Sequence, residues 1–396
     1  MKLPAKPCRA APRPLPAPRA RRATLALLVL TLAWTATRPD TAHAAPAWAD
    51  ALRQQVDRIE QATPGQLGLY VKRLDNGETF AHAADRPWYL ASSVKLPVAI
   101  AVLQEAEAGR LRLNQELVLQ ARDKVDGSGA VVWQPEGTRH SVQSLLQRML
   151  MESDNTAANM LIRAVGEDAL NQRAQALLGG RGVGRITDFT EVRYRVYAEA
   201  HPDARRLSNM DLVRIAGAPV GPRRLQALAR TLGVAPSALR VQTLDEAYDR
   251  YYRQNTNTAT LEGYGAMLEK LVRGQLVSPA HQQLLYKDLK FDTYDAYRLE
   301  AGLPRTVRFI HKTGTQLHRA CHMGVIDPQD NGRNAIVVAA CAEGLDEMKE
   351  AGKAFEQVGR AITQTMLQDR IPGKGRGLPG EPQGASGNSA KGLGRL

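Results

Sequence analysis

Ser92 and Lys95 stand three residues apart at the start of an apolar run, and the pattern Ser-x-x-Lys occurs once in the chain. On a helix that spacing is nearly one turn, so the hydroxyl and the amine share a face. Leu96, Ala99, Ile100 and Leu103 recur at helical spacing, which predicts a buried helix with Ser92 at its N-terminus. Backbone N–H groups are unpaired there and favour negative charge. A serine hydroxyl is a weak nucleophile until a base touches it. Lysine serves as that base only when deprotonated, and moving it from its ordinary value near ~10.4 to neutrality costs roughly 4 kcal/mol. Burial and a second cation both push that way.

Two further motifs could complete such a centre. Ser153-Asp154-Asn155 lies at a helix junction, where it also reads as a helix cap. Lys312-Thr313-Gly314 follows an apolar strand expected over 306–311. Singly each is weak. In this order and setting they match the signature of class A β-lactamases and penicillin-binding proteins. The flanks Ala91-Ser92-Ser93-Val94-Lys95-Leu96-Pro97, Ser153 to Asn159, and Asn257-Thr258-Ala259-Thr260 before a helix resemble that family too, and the resemblance covers about residues 45–370.

The resemblance implies an α/β (α+β) fold of the β-lactamase/transpeptidase type. A five-stranded antiparallel sheet would be flanked by the N- and C-terminal helices, with an all-helical lobe inserted at about 91–295. It also implies roles. Ser92 is acylated, Lys95 helps take its proton, and Ser153 relays a proton to the leaving nitrogen. Asn155 holds the substrate amide. Lys312 and Thr313 meet the substrate carboxylate, and the backbone N–H groups of Ser92 and Thr315 form the oxyanion hole. Lys312 helps to depress the Lys95 pKa. No metal or other cofactor is implied.

Class A enzymes hydrolyse the acyl-enzyme with a glutamate about 34 residues past that asparagine, in a Glu-x-x-Leu-Asn loop. Here Glu191 lies 36 residues past Asn155, close to the expected place, but the Leu-Asn partner is missing, and an ordinary surface glutamate is at least as good a reading. The stretch from Asn155 to Lys312 is also roughly 50 residues longer than usual, the excess falling at 192–257. Three functions follow from the resemblance. The first is an exported β-lactamase that hydrolyses β-lactam amides through an acyl-enzyme on Ser92. The second is a D-Ala-D-Ala peptidase or related amide hydrolase on the same scaffold. The third is a penicillin-binding sensor that traps the adduct. Gly-x-Ser-x-Gly and His-Glu-x-x-His are absent, and Trp133 reads equally as an aromatic lid over the site mouth and as a core or loop tryptophan.

Several elements must position these residues. Helical patterns are expected over 47–62, 141–151, 154–165, 208–216, 223–232, 243–252, 259–272, 279–289 and 343–368. Strands are expected over 67–71 and 78–82, joined by Asp75-Asn76-Gly77, and over 306–311, 318–326 and 335–341. The span 179–206 carries only a weak pattern. This order suggests an α/β lobe built from both chain ends around a helical middle.

The net charge of +13 is uneven. Residues 1–44 hold eight Lys/Arg against one Asp, and 371–396 hold four against one Glu, which leaves 45–370 at +3. A near-neutral body argues against a nucleic-acid partner; the expected partner is a small β-lactam or a peptidoglycan peptide, with the protein a monomer. Arg19, Arg21 and Arg22 precede the apolar run 23–34, and Ala42-His43-Ala44 is a small-x-small site, so a signal peptide over 1–44 is expected, by the general or twin-arginine route. The run is too short for a stable membrane span. The expected location is periplasmic or secreted. Residues 371–396, rich in Gly and basic residues, are expected to be a disordered tail. Cys321 and Cys341 flank the last hairpin; buried free thiols are the favoured reading over a cross-hairpin disulfide.

Overall fold

A computed structural model describes residues 46–180, 182–290 and 297–371. The expected leader, and the tail beyond residue 371, lie outside these. Helix α1 (Ala47–Gln61) leads into strands β1 (Gln66–Arg73), β2 (Thr79–His82) and β3 (Pro87–Tyr89). A 3-10 turn, Ala91–Val94, runs directly into α2 (Lys95–Glu107). Short strands β4 (Glu116–Val118) and β5 (Arg139–Ser141) pair ahead of α3 (Val142–Met151), α4 (Asn155–Val165) and α5 (Glu167–Leu177). Next come α6 (Phe189–Ala200), α7 (Asn209–Ala216), α8 (Pro222–Leu232) and α9 (Leu244–Tyr252). Strand β6 (Thr258–Thr260), α10 (Leu261–Val272) and α11 (Pro279–Asp288) follow. The chain closes with β7 (Phe309–Gln316), β8 (Arg319–Ile326), β9 (Ile336–Glu343) and α12 (Glu350–Met366).

The main sheet is antiparallel in the order β2-β1-β9-β8-β7, so the two ends of the chain meet at β1 and β9 and β7 is left on an edge. Successive side chains of a strand point to opposite faces. Leu69, Val71, Val338, Ala340 and Ala342 pack under α1 and α12. Cys321, Met323, Val325, Val337 and Ala339 face the helical body built on α2, α4 and α10. Residues 93–103 are all buried, so α2 is the central helix, apolar on every side, and Ser92 at its head is only half-buried.

The structure revises three expectations. Lys312-Thr313-Gly314 does not follow a strand but lies inside β7. The apolar run suggested an end near Ile310, yet His311, Lys312 and Thr313 are all buried, because β8 pairs with β7 along its whole length. The weakly patterned 179–206 stretch contains α6, which buries only Thr190, Val192, Val196, Tyr197 and Ala200 among charged and polar neighbours and so carries a sparse apolar pattern. Cys321 and Cys341 are not free thiols: they sit opposite each other on β8 and β9 and form a disulfide. Helices α6 to α9 enclose an apolar cluster of their own, centred on Val196, Tyr197, Leu228, Leu244 and Tyr251, which also takes in Tyr89 and Ala91 beside the Ser92 turn.

Candidate active site

Lys95 is the first residue of α2, one turn after Ser92, and is wholly buried. Its Nζ lies 3.1 Å from Ser92 Oγ and from Ser153 Oγ, 2.5 Å from the Ser153 carbonyl oxygen and 2.6 Å from Asn155 Oδ1. Lys312 approaches from β7 and donates to the same Ser153 Oγ at 3.1 Å and to the Thr313 carbonyl at 3.0 Å. Residues from 92 to 312 thus converge, with the Ser153 hydroxyl between two lysines. Thr313 is buried beside them, while Thr315 is exposed at the end of β7, its Oγ1 accepting from Arg298 at 2.9 Å.

Local structure explains the placement. Asp154 caps α4 by accepting from Ala157 N at 2.8 Å, and its other oxygen accepts from Val131 N at 3.0 Å. Ser153, just before that cap, has φ 55° and Ala91, just before Ser92, has φ 47°. This left-handed conformation is uncommon for non-glycine residues and recurs at functional sites. The β7 glycine is required by contact: a Cβ on Gly314 would lie 2.2 Å from the Leu90 carbonyl. Asn257 braces the same turn, its carbonyl accepting from Leu90 N at 2.9 Å.

Burial is the main reason that Lys95 is held well below the usual lysine range; the Lys312 ammonium adds to it, Asp154 opposes it and Arg193 adds again. Lys312 is pushed down to about 7, by burial and then by Arg298. Two neighbouring amines with lowered proton affinity suit proton transfer near neutrality.

Sequence reasoning missed Arg298, which donates from Nη1 to the carbonyls of Gly314 and Cys321 at 3.0 Å and so clamps β7 to β8. A lone arginine outside any motif gives no signal of this. It left open whether Glu191 faces Lys95 from the α6 side. Glu191 does not reach Lys95; its carboxylate is bound by Arg195 at 2.7 Å and Arg205 at 2.8 Å. Counting 34 residues from Asn155 ends on Phe189, whose ring centre lies 4.5 Å from Lys95 Nζ. Phe189 is held by its N–H, which donates to Asn159 Oδ1 at 2.8 Å, one turn along α4 from Asn155. Trp133 is 70% exposed, so it belongs to no core. Among the described residues no group of three or more His, Cys, Asp or Glu is placed to hold a metal ion, and no helix is long and apolar enough to cross a membrane.

Residues 51–366 match the model of the β-lactamase enzyme family. The chain belongs to that family. Among curated relatives, the β-lactamase of Streptomyces fradiae is 32% identical over 196 residues, covering 44% of this chain and 62% of that protein. The β-lactamase of Rhodobacter capsulatus is 32% identical over 126 residues, 32% of this chain and 43% of its own length. Thus the chain matches only part of the length of these two. β-Lactamase OXY-2 of Klebsiella oxytoca is 24% identical over 327 residues, 80% of this chain and 91% of that one. Among solved structures, PBP-A aligns at TM-score 0.60 and 19% identity over 81% of this chain and 96% of its own. A β-lactamase from Sphaerobacter thermophilus aligns at 0.59 and 24% over 82% and 98%. These likenesses show the β-lactamase/transpeptidase-like fold with its five-stranded antiparallel sheet.

Proposed function

We propose that this member of the β-lactamase family is an exported serine hydrolase that opens β-lactam amides through an acyl-enzyme on Ser92. The observation that carries the reading is the set of contacts around Lys95 Nζ. A neutral amine has two N–H groups and one lone pair. The Ser153 carbonyl and Asn155 Oδ1 accept only, and they are the two closest partners. They occupy both N–H groups, which leaves the lone pair facing two hydroxyls, Ser92 Oγ and Ser153 Oγ, each at 3.1 Å, so that Lys95 can take a proton from the first and pass one to the second. As Ser92 Oγ attacks the carbonyl carbon, its proton passes to Lys95. The C–N bond then breaks, and the leaving nitrogen is protonated through Ser153 Oγ, which Lys312 also touches. Lys312 supplies positive charge for a substrate carboxylate, and the N–H groups of Ser92 and Thr315 serve the oxyanion. The basic leader with its small-x-small site supports export to the periplasm or beyond.

A second reading, a penicillin-binding peptidase or a slow-turnover β-lactam sensor, is favoured by Phe189. The Phe189 ring stands 4.5 Å from Lys95 Nζ where the resemblance calls for a carboxylate, so among the described residues α6 offers no acid at that point to activate water for the second half of the reaction. PBP-A, one of the structural neighbours, is known in a mutant as an acyl-enzyme complex with penicillin G. Turnover of a chromogenic cephalosporin by the purified chain tests both. Steady hydrolysis lost in Ser92→Ala supports the first. A single burst with no steady rate, together with release of D-alanine from a muropeptide or a persistent adduct, supports the second. Equal turnover by Ser92→Ala overturns both.

A further inference from the structure

The long segment 192–257 has no place in the acylation chemistry above, yet it packs against the Ser92 turn and, through Arg193, bears on the centre with a charge. Arg193 lies one turn beyond Phe189 on α6. Its Nε donates to Asp126 Oδ1 at 2.7 Å, and both side chains are nearly buried, 11% and 12% exposed. The Asp126 carbonyl accepts from Asn155 Nδ2 at 2.8 Å, and Asn155 Oδ1 accepts from Lys95 at 2.6 Å. The loop after Asp126 is pressed onto Asn155 as well. Ser128 O accepts from Asn155 N at 3.1 Å, and a Cβ on Gly127 would lie 2.3 Å from Asn155 Nδ2. Both ends of the Asn155 amide are therefore engaged, one by the base and the other by the loop that Arg193 holds.

We propose that Arg193 is a positioning residue. Through Asp126 it clamps the 126–129 loop on Asn155 and thereby fixes Lys95 beside Ser92, so that the inserted helices α6 to α9 act as a brace for the acylating centre. This rests on the acyl-enzyme reading of Ser92. The packing around Arg193 fits a fixed strut. Its Nη1 also meets Tyr248 Oη of α9 at 3.4 Å, and Tyr197 of α6 lies in the same apolar cluster as Tyr248. The charged groups bearing on Lys95 are Lys312 from β7, Asp154 ahead of α4 and Arg193 from α6; Asp126 bears on Arg193. Removing the guanidinium takes away a cation that repels charged Lys95 and leaves the Asp126 carboxylate uncompensated. Both effects favour protonated Lys95.

The test is the pH profile of Ser92 acylation by a fluorescent penicillin, measured on the full chain and on Arg193→Gln, Arg193→Lys and Asp126→Asn. Arg193→Gln is expected to slow acylation at least about tenfold near neutrality and to move the acid limb up by roughly half to one pH unit, the size expected for one lost neighbouring charge. Arg193→Lys, which keeps the charge, restores the limb. Asp126→Asn leaves the cation unneutralised and moves the limb the other way, which keeps the inference testable should Arg193→Gln not fold. A folded Arg193→Gln protein with the wild-type limb overturns the brace while leaving the acyl-enzyme reading intact. A wild-type chain that forms no Ser92 adduct overturns both.

Discussion

Gly314→Ala is the most exacting single perturbation of this site. Gly314 is the last residue of the Lys-Thr-Gly motif, and β7 there lies against the turn that carries Ser92. A methyl group at 314 would fall 2.2 Å from the Leu90 carbonyl oxygen, 2.9 Å from Ser93 Oγ and 3.1 Å from Ser93 N. Two of the three are backbone atoms, and Leu90 is tied by its N–H to the Asn257 carbonyl, so no rotamer change relieves the contact. A carbon atom and a carbonyl oxygen need more than ~3 Å, so β7 must retreat by about 1 Å from the turn. Overpacking of this kind costs about 1–3 kcal/mol in stability. The kinetic cost is larger, because a ~1 Å displacement of catalytic groups costs roughly a hundredfold. Lys312 would withdraw from Ser153 along with the strand. The assay is the second-order rate constant for acylation by a fluorescent penicillin, read beside a thermal melt. Gly352→Ala is the control: it lies in α12 with nothing within 4 Å of the added carbon, and should leave acylation unchanged. A folded Gly314→Ala protein that acylates within threefold of wild type would refute the contact argument.

Other predictions follow from the same geometry. Phe189→Glu places a carboxylate beside Lys95 and should shorten the lifetime of a penicillin adduct at least about tenfold by intact-protein mass spectrometry; an unchanged lifetime would show that the ring is not what limits water activation. Lys312, at about 7 in the folded protein against 10.5 for the free side chain, binds fewer protons folded than unfolded. Its burial therefore costs most below pH 7 and progressively less up to about 10.5, so stability rises over that window by up to roughly 5 kcal/mol. Urea melts of wild type against Lys312→Met between pH 7 and 9 should show the slope flattened in the variant. Asp188 caps α6, and burial pushes its carboxyl up to about 6. Ionising it disfavours the fold, so Asp188→Asn, which keeps a capping oxygen, should raise the melting temperature above pH 6 and leave it nearly unchanged near pH 4. Cys341→Ser opens the crosslink between β8 and β9, which spans 20 residues. Its loss should cost about 3 kcal/mol, measured by denaturant melts with and without reductant.

The acylating half of the site was legible because its chemistry is carried by contiguous motifs. Ser92 and Lys95 lie nearly one turn apart, so spacing alone brought them to a face, while Ser153 and Asn155 flank the Asp154 cap at the start of α4. A five-stranded antiparallel sheet built from both ends of the chain was also readable, from the resemblance and from the strand patterns there. What escaped the sequence was long-range. Nothing in the composition of 306–316 reveals that a strand continues through His311-Lys312-Thr313, because those polar residues are buried by pairing with β8 rather than by their own hydrophobicity. The register that sets Cys321 opposite Cys341 is a property of the sheet. Glu191 drew attention as an acid near the expected place, whereas partner choice decided its role: Arg195 and Arg205 take the carboxylate and α6 turns Phe189 to the amine. Arg193 and Arg298 look like ordinary surface arginines until the fold buries them.

Mapping a bound penicillin by proteolysis and mass spectrometry tests the central claim most directly. One acyl group per chain, confined to the peptide that contains Ser92 and lost in Ser92→Ala and Lys95→Met, is the predicted result. An adduct on another residue, or labelling of Lys95→Met at the wild-type rate, would contradict it.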